Sequence, residues 1–382
     1  MVVFMRVLIS TWGWRSHYYP MVPFAWGLRA AGHEVRVAGH PALAPAITGS
    51  GLTAVEVGED PGFVELFAGG ISRKAESEDE SVTVDGAIAG CADGMVDDLV
   101  AFARDWRPQV LVHDPLNLAA PIAARVLGIP AVKHLWGADF SAIMPVAEEV
   151  ATGNLVRRFG IDRLPDTPDL IVDPCPWAMQ VPSPGLVPRQ PIRFVPYNGT
   201  AMHPSWLWRR PSRPRVCVTW GTLMSEVDDG ELFRAPRVAE ALASSGVEVV
   251  VAVDPKTRPR FGALPDNVRL ADTQLALHVV LASCRAIVHQ GGAGSTMTAL
   301  AAGVPQVILP AVVDQRFNAT QLALTGAGVA GDLETVADQV HALLTEPHWR
   351  QAATALAEEN AGRPCPAEAA TGLARQLDML SV

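Results

Sequence analysis

Short apolar runs alternate with longer amphipathic stretches along most of the 382 residues of this chain. The run Arg6 to Ser10 leads into a helical pattern from Pro20 to Ala31, and a second apolar run, Glu34 to Ala38, follows. Strands that alternate with helices in this way are typical of a parallel sheet with helices on both faces. Further strands are predicted at 53–57, 110–112 and 131–134, edge strands at 170–172 and 193–195, and helices at 43–48, 84–106, 121–127 and 141–159.

The same alternation restarts after a proline-rich stretch that contains Pro204, Pro211 and Pro214. Strands are then predicted at 216–219, 247–253, 268–270, 286–288 and 307–309, and helices at 231–244, 275–281, 333–344, 347–360 and 367–380. Because the chain is too long for one ordinary core, we expect two doubly wound α/β domains. The predicted parts are a first domain at 1–198, a linker at 199–214, a second domain at 215–365 and a final helix at 366–382 that packs on the first domain.

A long loop at 58–81 interrupts the pattern, and loops of this length in compact domains are mobile or functional. Its first part holds Phe63 and Phe67, which can line a pocket. Four further aromatic residues lie after predicted strands of the first domain and can form an apolar wall for a bound molecule: Trp12, Trp14, Trp136 and Phe140. The alternative for these aromatic residues is ordinary packing.

The stretch from Ala286 to Ala319 reads as strand, glycine turn, helix, strand and polar loop. Glycines without a Cβ let the backbone approach a bulky anion, and a helix start presents unpaired N–H groups and a partial positive charge. A phosphate or diphosphate fits such a place. The residues of this candidate anion site are Gly291, Gly292, Gly294, Ser295 and Thr296. The alternative is a tight turn that serves only packing.

A polar pair, Asp314 and Gln315, follows the strand after the glycine turn. Loops at the carboxyl ends of neighbouring parallel strands form one crevice, so this pair can hydrogen-bond the hydroxyls of a bound sugar. Alternatively, the two residues are a helix N-cap and its neighbour.

His17 and Asp114 are the candidates for acid–base chemistry in the first domain. Each follows a predicted strand, so both lie on the side of the sheet where ligands bind in open α/β folds. An imidazole can take up a proton near neutral pH, and a carboxylate can hold its tautomer and stabilise the imidazolium that forms. The alternatives are a solvated loop histidine and an aspartate that caps a helix.

The charge balance excludes several classes of partner. A formal net charge of −10 and a pI near 5.5 argue against nucleic acid and against an anionic membrane surface. The five cysteines show no CxxC pair, which indicates free thiols in a reducing compartment. No apolar run reaches membrane-spanning length and no signal peptide is recognisable, so we expect a cytoplasmic protein. Without a DxD pair or zinc-type spacing, no metal is expected.

The glycine stretch HQGGAGSTMTALAAGVPQVILPAVVDQRFNA closely resembles the donor-binding signature of nucleotide-sugar glycosyltransferases of the GT-B fold. The nearest group is the actinobacterial enzymes that decorate antibiotic-type natural products. The opening MRVLISTWGWRSHYYPMVPFAWGLRAAGHEVRVAGHPAL and the motifs DPCPWAMQ from Asp173, VPYNG from Val195 and TWGT from Thr219 are similar to the same family. The resemblance covers essentially the whole chain. It implies two Rossmann-like domains that face a central cleft, the first for an acceptor and the second for a nucleotide-sugar.

The resemblance also implies roles for individual residues. His17 matches the general base of the family, and Asp114 falls where its supporting carboxylate lies. The residues that match donor-binding positions are Gly221, Thr222, Gln274, His289, Gln290, Gly291, Gly292, Gly294, Ser295, Thr296, Asp314 and Gln315. The family is metal-independent and inverting, and its natural-product branch commonly uses dTDP-deoxysugars.

Two positions depart from the family pattern. Gln290 stands where a second histidine is usual, and Ala271 stands where a tryptophan is usual before the last donor helix. The sequence thus predicts a glycosyltransferase that moves a deoxysugar from a dTDP-sugar or another nucleotide-sugar to a hydroxyl of a small natural-product aglycone. The alternatives are a non-catalytic nucleotide-sugar-binding helper subunit and a nucleotide-sugar epimerase. A homodimer is compatible with the sequence.

Overall fold

The computed structural model describes residues 4–59, 81–143, 153, 155–165, 167–182, 185, 187–221, 224, 232–271 and 275–380. By its internal contacts the chain divides into two compact units. The first unit comprises Met1–Pro174, Pro182–Arg193 and Arg363–Val382, and the second comprises Cys175–Val181 and Phe194–Gly362. The chain therefore passes between the units at several points, and the sequence predicted two such passages, the linker at 199–214 and the return of the final helix at 366–382 to the first domain.

The first unit is built on a parallel sheet of seven strands in the order β3-β2-β1-β4-β5-β6-β7. Its strands are β1 Arg6–Ser10, β2 Glu34–Gly39, β3 Thr53–Glu56, β4 Val110–His113, β5 Ala131–His134, β6 Leu170–Asp173 and β7 Arg189–Pro191. Its α-helices are Arg15–Tyr18, Val22–Ala30, Ala44–Gly49, Ser81–Trp106, Ala119–Leu127 and Pro366–Leu380, and its 3-10 helices are Tyr19–Met21, Pro41–Leu43 and Phe140–Ile143. Every residue of β4, β5 and β6 is buried, and β4 and β6 accordingly read as near-continuous apolar runs.

The second unit has a parallel sheet of six strands in the order β10-β9-β8-β11-β12-β13. Its strands are β8 Arg215–Thr219, β9 Glu248–Val251, β10 Val268–Leu270, β11 Ala286–His289, β12 Gln306–Ile308 and β13 Gly328–Ala330. Its α-helices are Ala235–Ala243, Leu277–Leu281, Ala293–Ala301, Val313–Leu324, Val336–Thr345 and Pro347–Ala361, and its 3-10 helices are Trp177–Met179, Ser205–Trp208 and Pro255–Arg260. The structure confirms the predicted α/β class with two doubly wound parallel sheets.

The helix Pro366–Leu380 belongs to the first unit, where it packs against the helix Val22–Ala30. Gly27 makes this approach feasible, because a Cβ at this position would lie 2.4 Å from the carbonyl oxygen of Pro366. The side-chain amide of Gln190 also donates a hydrogen bond to the carbonyl of Ala369. Among the residues that the structure describes, no helix is long and apolar enough to cross a membrane.

Several predicted elements are wrong in detail. The edge strand predicted at 193–195 lies instead at Arg189–Pro191, because Phe194 exchanges hydrogen bonds with the Asn360 side chain rather than with β6. The helix predicted at 231–244 begins only at Ala235. Strand β13 and the helix Val313–Leu324 were not predicted. Of the helix predicted at 141–159, residues 144–152 and 154 lie outside the described part of the chain.

Candidate active site

Each sheet reverses its strand order once, and the predicted site residues follow the strands at these two reversals. In the first unit the order reverses between β1 and β4, and His17 and Asp114 follow these strands. In the second unit it reverses between β8 and β11, which Gly221 and Gln290 follow. Ligands of open α/β sheets bind at such reversals, outside the carboxyl ends of the strands. The topology therefore marks one candidate site in each unit.

The structure brings His17 and Asp114 together although 97 residues separate them. His17 lies in the short helix Arg15–Tyr18 rather than in an open loop, and only 9% of the residue is exposed. Its Nδ1 atom is 3.3 Å from Oδ1 of Asp114. The parallel pairing of Ser10 with His113 places the ends of β1 and β4 side by side, which makes this contact feasible.

Asp114 is fully buried, and the groups around it favour its charged form. Burial raises the pKa of Asp114, but the hydrogen bond and charge of His17 and the N–H of Leu116 outweigh burial and hold this pKa below its usual value. The backbone N–H of Trp12 also donates to Asp114 Oδ2, at 3.4 Å. Since an ionised carboxylate can only accept, Nδ1 of His17 donates, and in the neutral ring Nε2 then carries the lone pair that a general base needs.

Three predicted aromatic residues surround the His17 ring. The ring centroids of Trp12, Trp14 and Trp136 lie 5.5, 5.6 and 4.1 Å from that of His17. Phe140 is half-buried at the start of the 3-10 helix Phe140–Ile143. Of the predicted acceptor-binding residues, Phe63 and Phe67 lie outside the described residues, as do the predicted donor-binding residues Thr222 and Gln274.

The glycine turn of the second unit is held by side chains that point away from solvent. His289 is fully buried, and its Nδ1 accepts the N–H of Gly291 at 3.1 Å while its Nε2 lies 2.9 Å from Oε1 of Gln306. Burial lowers the pKa of His289 to about 4, so the ring stays neutral. Gln306 in turn donates to the carbonyl of Thr296, at 3.2 Å. The histidine therefore positions the turn from inside the protein.

Asn318 completes this support. Its side-chain amide donates to the carbonyl of Gly291 at 2.8 Å, so side chains bind both backbone groups of this glycine. Gly291 has φ of +98°, and a Cβ there would lie 2.7 Å from Ile308 Cγ2. Sequence reasoning missed Gln306 and Asn318. The only available signal was a glutamine inside an otherwise apolar strand.

The two predicted hydroxyls of the turn differ in their environment. Thr296 is fully buried, and its hydroxyl donates to the carbonyl of Gly292 within the first helical turn, at 3.1 Å. Ser295 is half-buried, and its hydroxyl has no hydrogen-bond partner among the described residues. A ligand at the start of the helix Ala293–Ala301 can therefore reach Ser295 and the unpaired first-turn N–H groups.

The glycines around this turn serve two different purposes. A Cβ at Gly221 or Gly292 would lie 2.5 or 2.9 Å from Nε2 of Gln290, so both glycines leave room for that side chain. A Cβ at Gly294 would meet no heavy atom of the described protein within 4 Å. Gly294 therefore borders open space at the helix start. Gln290 is 7% exposed, and no described residue hydrogen-bonds its buried Oε1 atom.

The polar pair Asp314 and Gln315 lies in the first turn of the helix Val313–Leu324 rather than in a loop. Gln315 is buried, and its Oε1 accepts the N–H groups of Ala311 and Val312 at 2.9 and 3.4 Å. Asp314 is exposed. The geometry thus favours the capping alternative for Gln315 and leaves Asp314 accessible to a ligand.

Comparisons with known proteins agree with this arrangement. The family model "Erythromycin biosynthesis protein CIII-like, N-terminal domain" matches residues 26–221, and its C-terminal counterpart matches residues 236–375. Tylactone mycaminosyltransferase of Streptomyces fradiae is 35% identical in an alignment of 427 positions that covers 99% of this chain and 92% of the relative. L-demethylnoviosyl transferase of Streptomyces niveus is 38% identical in an alignment of 385 positions that covers 97% of this chain and 98% of that relative.

Solved structures give the same result. The glycosyltransferase VinC in complex with dTDP matches with a TM-score of 0.81 and 33% identity, over 98% of this chain and 100% of that chain. Spinosyn rhamnosyltransferase SpnG complexed with spinosyn aglycone matches with a TM-score of 0.83 and 31% identity, over the same shares. The two sheets and these matches define a glycosyltransferase of the GT-B fold. The chain belongs to the Erythromycin biosynthesis protein CIII-like family, which confirms the resemblance seen in the sequence.

Proposed function

We propose that this enzyme transfers a deoxysugar from a dTDP-sugar to a hydroxyl of a natural-product aglycone, with inversion of the anomeric carbon and without a metal. The observation that carries the proposal is the buried pair of His17 and Asp114 at the strand reversal of the first unit. The relatives support the substrate classes, because their names include a mycaminosyltransferase for tylactone and a TDP-daunosamine transferase.

In the proposed reaction, Nε2 of His17 takes the proton from the acceptor hydroxyl. The acceptor oxygen attacks the anomeric carbon from the face opposite the diphosphate, which inverts that centre. The bond between this carbon and the diphosphate oxygen breaks, and its electron pair leaves with the nucleoside diphosphate. Asp114 stays ionised and stabilises the imidazolium, as the carboxylate of a catalytic triad does.

The departing diphosphate needs groups that neutralise its charge. We assign this role to the first-turn N–H groups of the helix Ala293–Ala301, to the hydroxyl of Ser295 and to Gln290. Backbone donors fixed in advance toward developing charge are an effective form of transition-state stabilisation. His289 and Asn318 act on this site only through the turn that they hold.

The function is tested by incubating the protein with dTDP-mycaminose or dTDP-rhodosamine and with tylactone or aklavinone, chosen from the relatives' names. We expect a glycosylated product by mass spectrometry, inverted anomeric configuration by NMR, and undiminished turnover in excess EDTA. A new nucleotide-sugar formed without any acceptor would indicate an epimerase. Binding of dTDP without transfer to any aglycone would indicate a helper subunit, and loss of turnover in EDTA would contradict metal independence.

Replacement of Gly294 by alanine should weaken dTDP binding without harming the fold. The added methyl group points into the open space where the diphosphate would bind, and alanine stabilises a helix by about 0.5–1 kcal/mol relative to glycine. We expect roughly a tenfold or larger rise in Kd, about 1.4 kcal/mol or more, measured by calorimetry with dTDP.

The matched control is Gly291→Ala in the same turn. Gly291 has φ of +98°, and a Cβ there would lie 2.7 Å from Ile308 Cγ2, so alanine would strain the backbone and clash with this side chain. The change should lower the free energy of unfolding by about 1–3 kcal/mol. If Gly294→Ala bound dTDP as tightly as the unchanged protein, the diphosphate would have to lie elsewhere.

A further inference from the structure

The tryptophans around His17 stand close enough to act on its charge. An aromatic face within about 6 Å of a cation attracts it, and tryptophan does so most strongly. The Trp12 ring lies nearly parallel to the His17 ring, with an interplanar angle of 20° and centroids 5.5 Å apart. The Trp136 ring is tilted by 49° at a centroid distance of 4.1 Å, which is van der Waals contact.

The exposure of Trp12 argues against a role in acceptor binding. Only 2% of this residue is accessible, so it has almost no surface to offer to an aglycone. Its backbone N–H donates to the Asp114 carboxylate, the same group that hydrogen-bonds His17. The aromatic ring and the carboxylate are therefore held together around one imidazole.

Asp114 alone is a modest partner for a charged imidazole. A charge-assisted N–H···O hydrogen bond is usually about 2.7–2.9 Å long, whereas Nδ1 of His17 lies 3.3 Å from Oδ1. The N–H groups of Leu116 and Trp12 also share this carboxylate, at 3.0 and 3.4 Å. A second source of stabilisation for the imidazolium therefore has a physical purpose.

We propose that Trp12 and Trp136 stabilise the imidazolium of His17 through cation–π contacts and so lower the barrier for sugar transfer. This inference rests on the proposed function, in which His17 takes the proton of the acceptor hydroxyl while the carbon–oxygen bond to the diphosphate breaks. Both tryptophans act by stabilising the charged form of the base. Trp136 is half-buried, so it also has exposed surface that an acceptor can contact.

The test uses a series of tryptophan analogues with one, two and three ring fluorines, inserted at position 136 or 12 of the full chain. Fluorine withdraws electron density from the ring face without much change in size, so the cation–π attraction falls stepwise. The rates are measured with the substrate pair that the assay of the proposed function identifies. With each added fluorine kcat should fall, by about 2–30-fold over the whole series. At position 12, which has almost no exposed surface, KM for the acceptor should stay unchanged, and the melting temperature should stay unchanged at both positions.

Trp106 provides the matched control, because it is also a cation–π partner but precedes the start of β4, whereas Asp114 follows the end of this strand. The guanidinium carbon of Arg36 lies 5.1 Å from its ring centroid, and Phe102 stacks on it. Fluorination of Trp106 should leave kcat unchanged. The inference would be overturned if kcat did not change with the number of fluorines at positions 12 and 136, or if it fell equally steeply at position 106. The proposed function fails separately, namely if His17→Ala still turns over.

Discussion

Replacement of His17 by alanine is expected to lower kcat by about 10²–10⁴-fold, which is the usual worth of a general base. Without the imidazole, the acceptor hydroxyl keeps its proton while it attacks, and water or Asp114 is a poor substitute. Binding of dTDP should stay unchanged, because the glycine turn belongs to the second unit and His17 to the first. Steady-state rates with the identified substrate pair and calorimetry with dTDP measure the two quantities.

Two further variants show whether the loss comes from the base itself. His341→Ala changes an exposed histidine of the helix Val336–Thr345 and should leave the rate unchanged. The His17→Ala protein has lost an imidazole between three tryptophan rings, so added imidazole should restore part of the turnover. A His17→Ala enzyme that is nearly as fast as the unchanged protein would remove His17 from the mechanism.

Replacement of Arg189 by methionine is expected to lower the free energy of unfolding of the first unit by about 3–5 kcal/mol. The guanidinium bridges two buried carboxylates, at 2.5 Å from Asp139 and 2.9 Å from Asp173. Burial lowers the pKa of Arg189, but these carboxylates outweigh it and raise this pKa above its usual value. Methionine would remove the cation between two buried carboxylates, whose like charges then repel each other. Calorimetric unfolding measures the loss.

An exposed ion pair is the natural control for this variant. Arg158 lies against Asp93 and Asp97 at the surface, so Arg158→Met should cost at most about 1 kcal/mol. Adding Asp139→Asn to Arg189→Met should recover part of the stability, because it removes one of the two like charges that repel each other. If Arg189→Met cost no more than Arg158→Met, the buried bridge would not be a source of stability.

The ion pair of Arg189 and Asp139 also helps to position the aromatic ring of Trp136 beside the proposed base. Asp139 lies three residues after Trp136, and it accepts a hydrogen bond from Ser141 at 2.7 Å. Arg189 therefore holds in place the segment that contains Trp136, whose ring contacts the His17 ring. In the Arg189→Met variant, turnover should fall together with stability.

The α/β class and the two doubly wound sheets could be predicted from the sequence, because most strands that are buried on both faces appear in it as short apolar runs. Val216 to Thr219 is such a run, and all of β8 is buried. Strands β7 and β13 could not be predicted, since Arg189–Pro191 is polar and ends in proline, and Gly328–Ala330 begins with glycine. These two strands are defined by hydrogen bonds to their neighbours rather than by a pattern of their own. The equally short edge strand β10, Val268–Leu270, was predicted because its apolar residues alternate with a polar one.

The candidate site was predicted in part. The sequence singled out His17, Asp114 and the glycine turn, because polar and glycine residues directly after buried strands are conspicuous. It did not distinguish residues that face a ligand from residues that hold the turn. His289 and Gln315 match donor-binding positions, yet the structure uses their side chains inside the protein.

The alternation of strands and helices, the glycine turn at a helix start and the chemical groups available for proton transfer follow from the amino-acid sequence alone. Three features became visible only in the folded chain: the contact of Asp114 with His17, the three tryptophans around this histidine, and the support of the turn by Gln306 and Asn318. The physical reason is that local patterns record burial and backbone preference. Contacts between distant residues depend on strand order and register, which the packing of the whole unit selects.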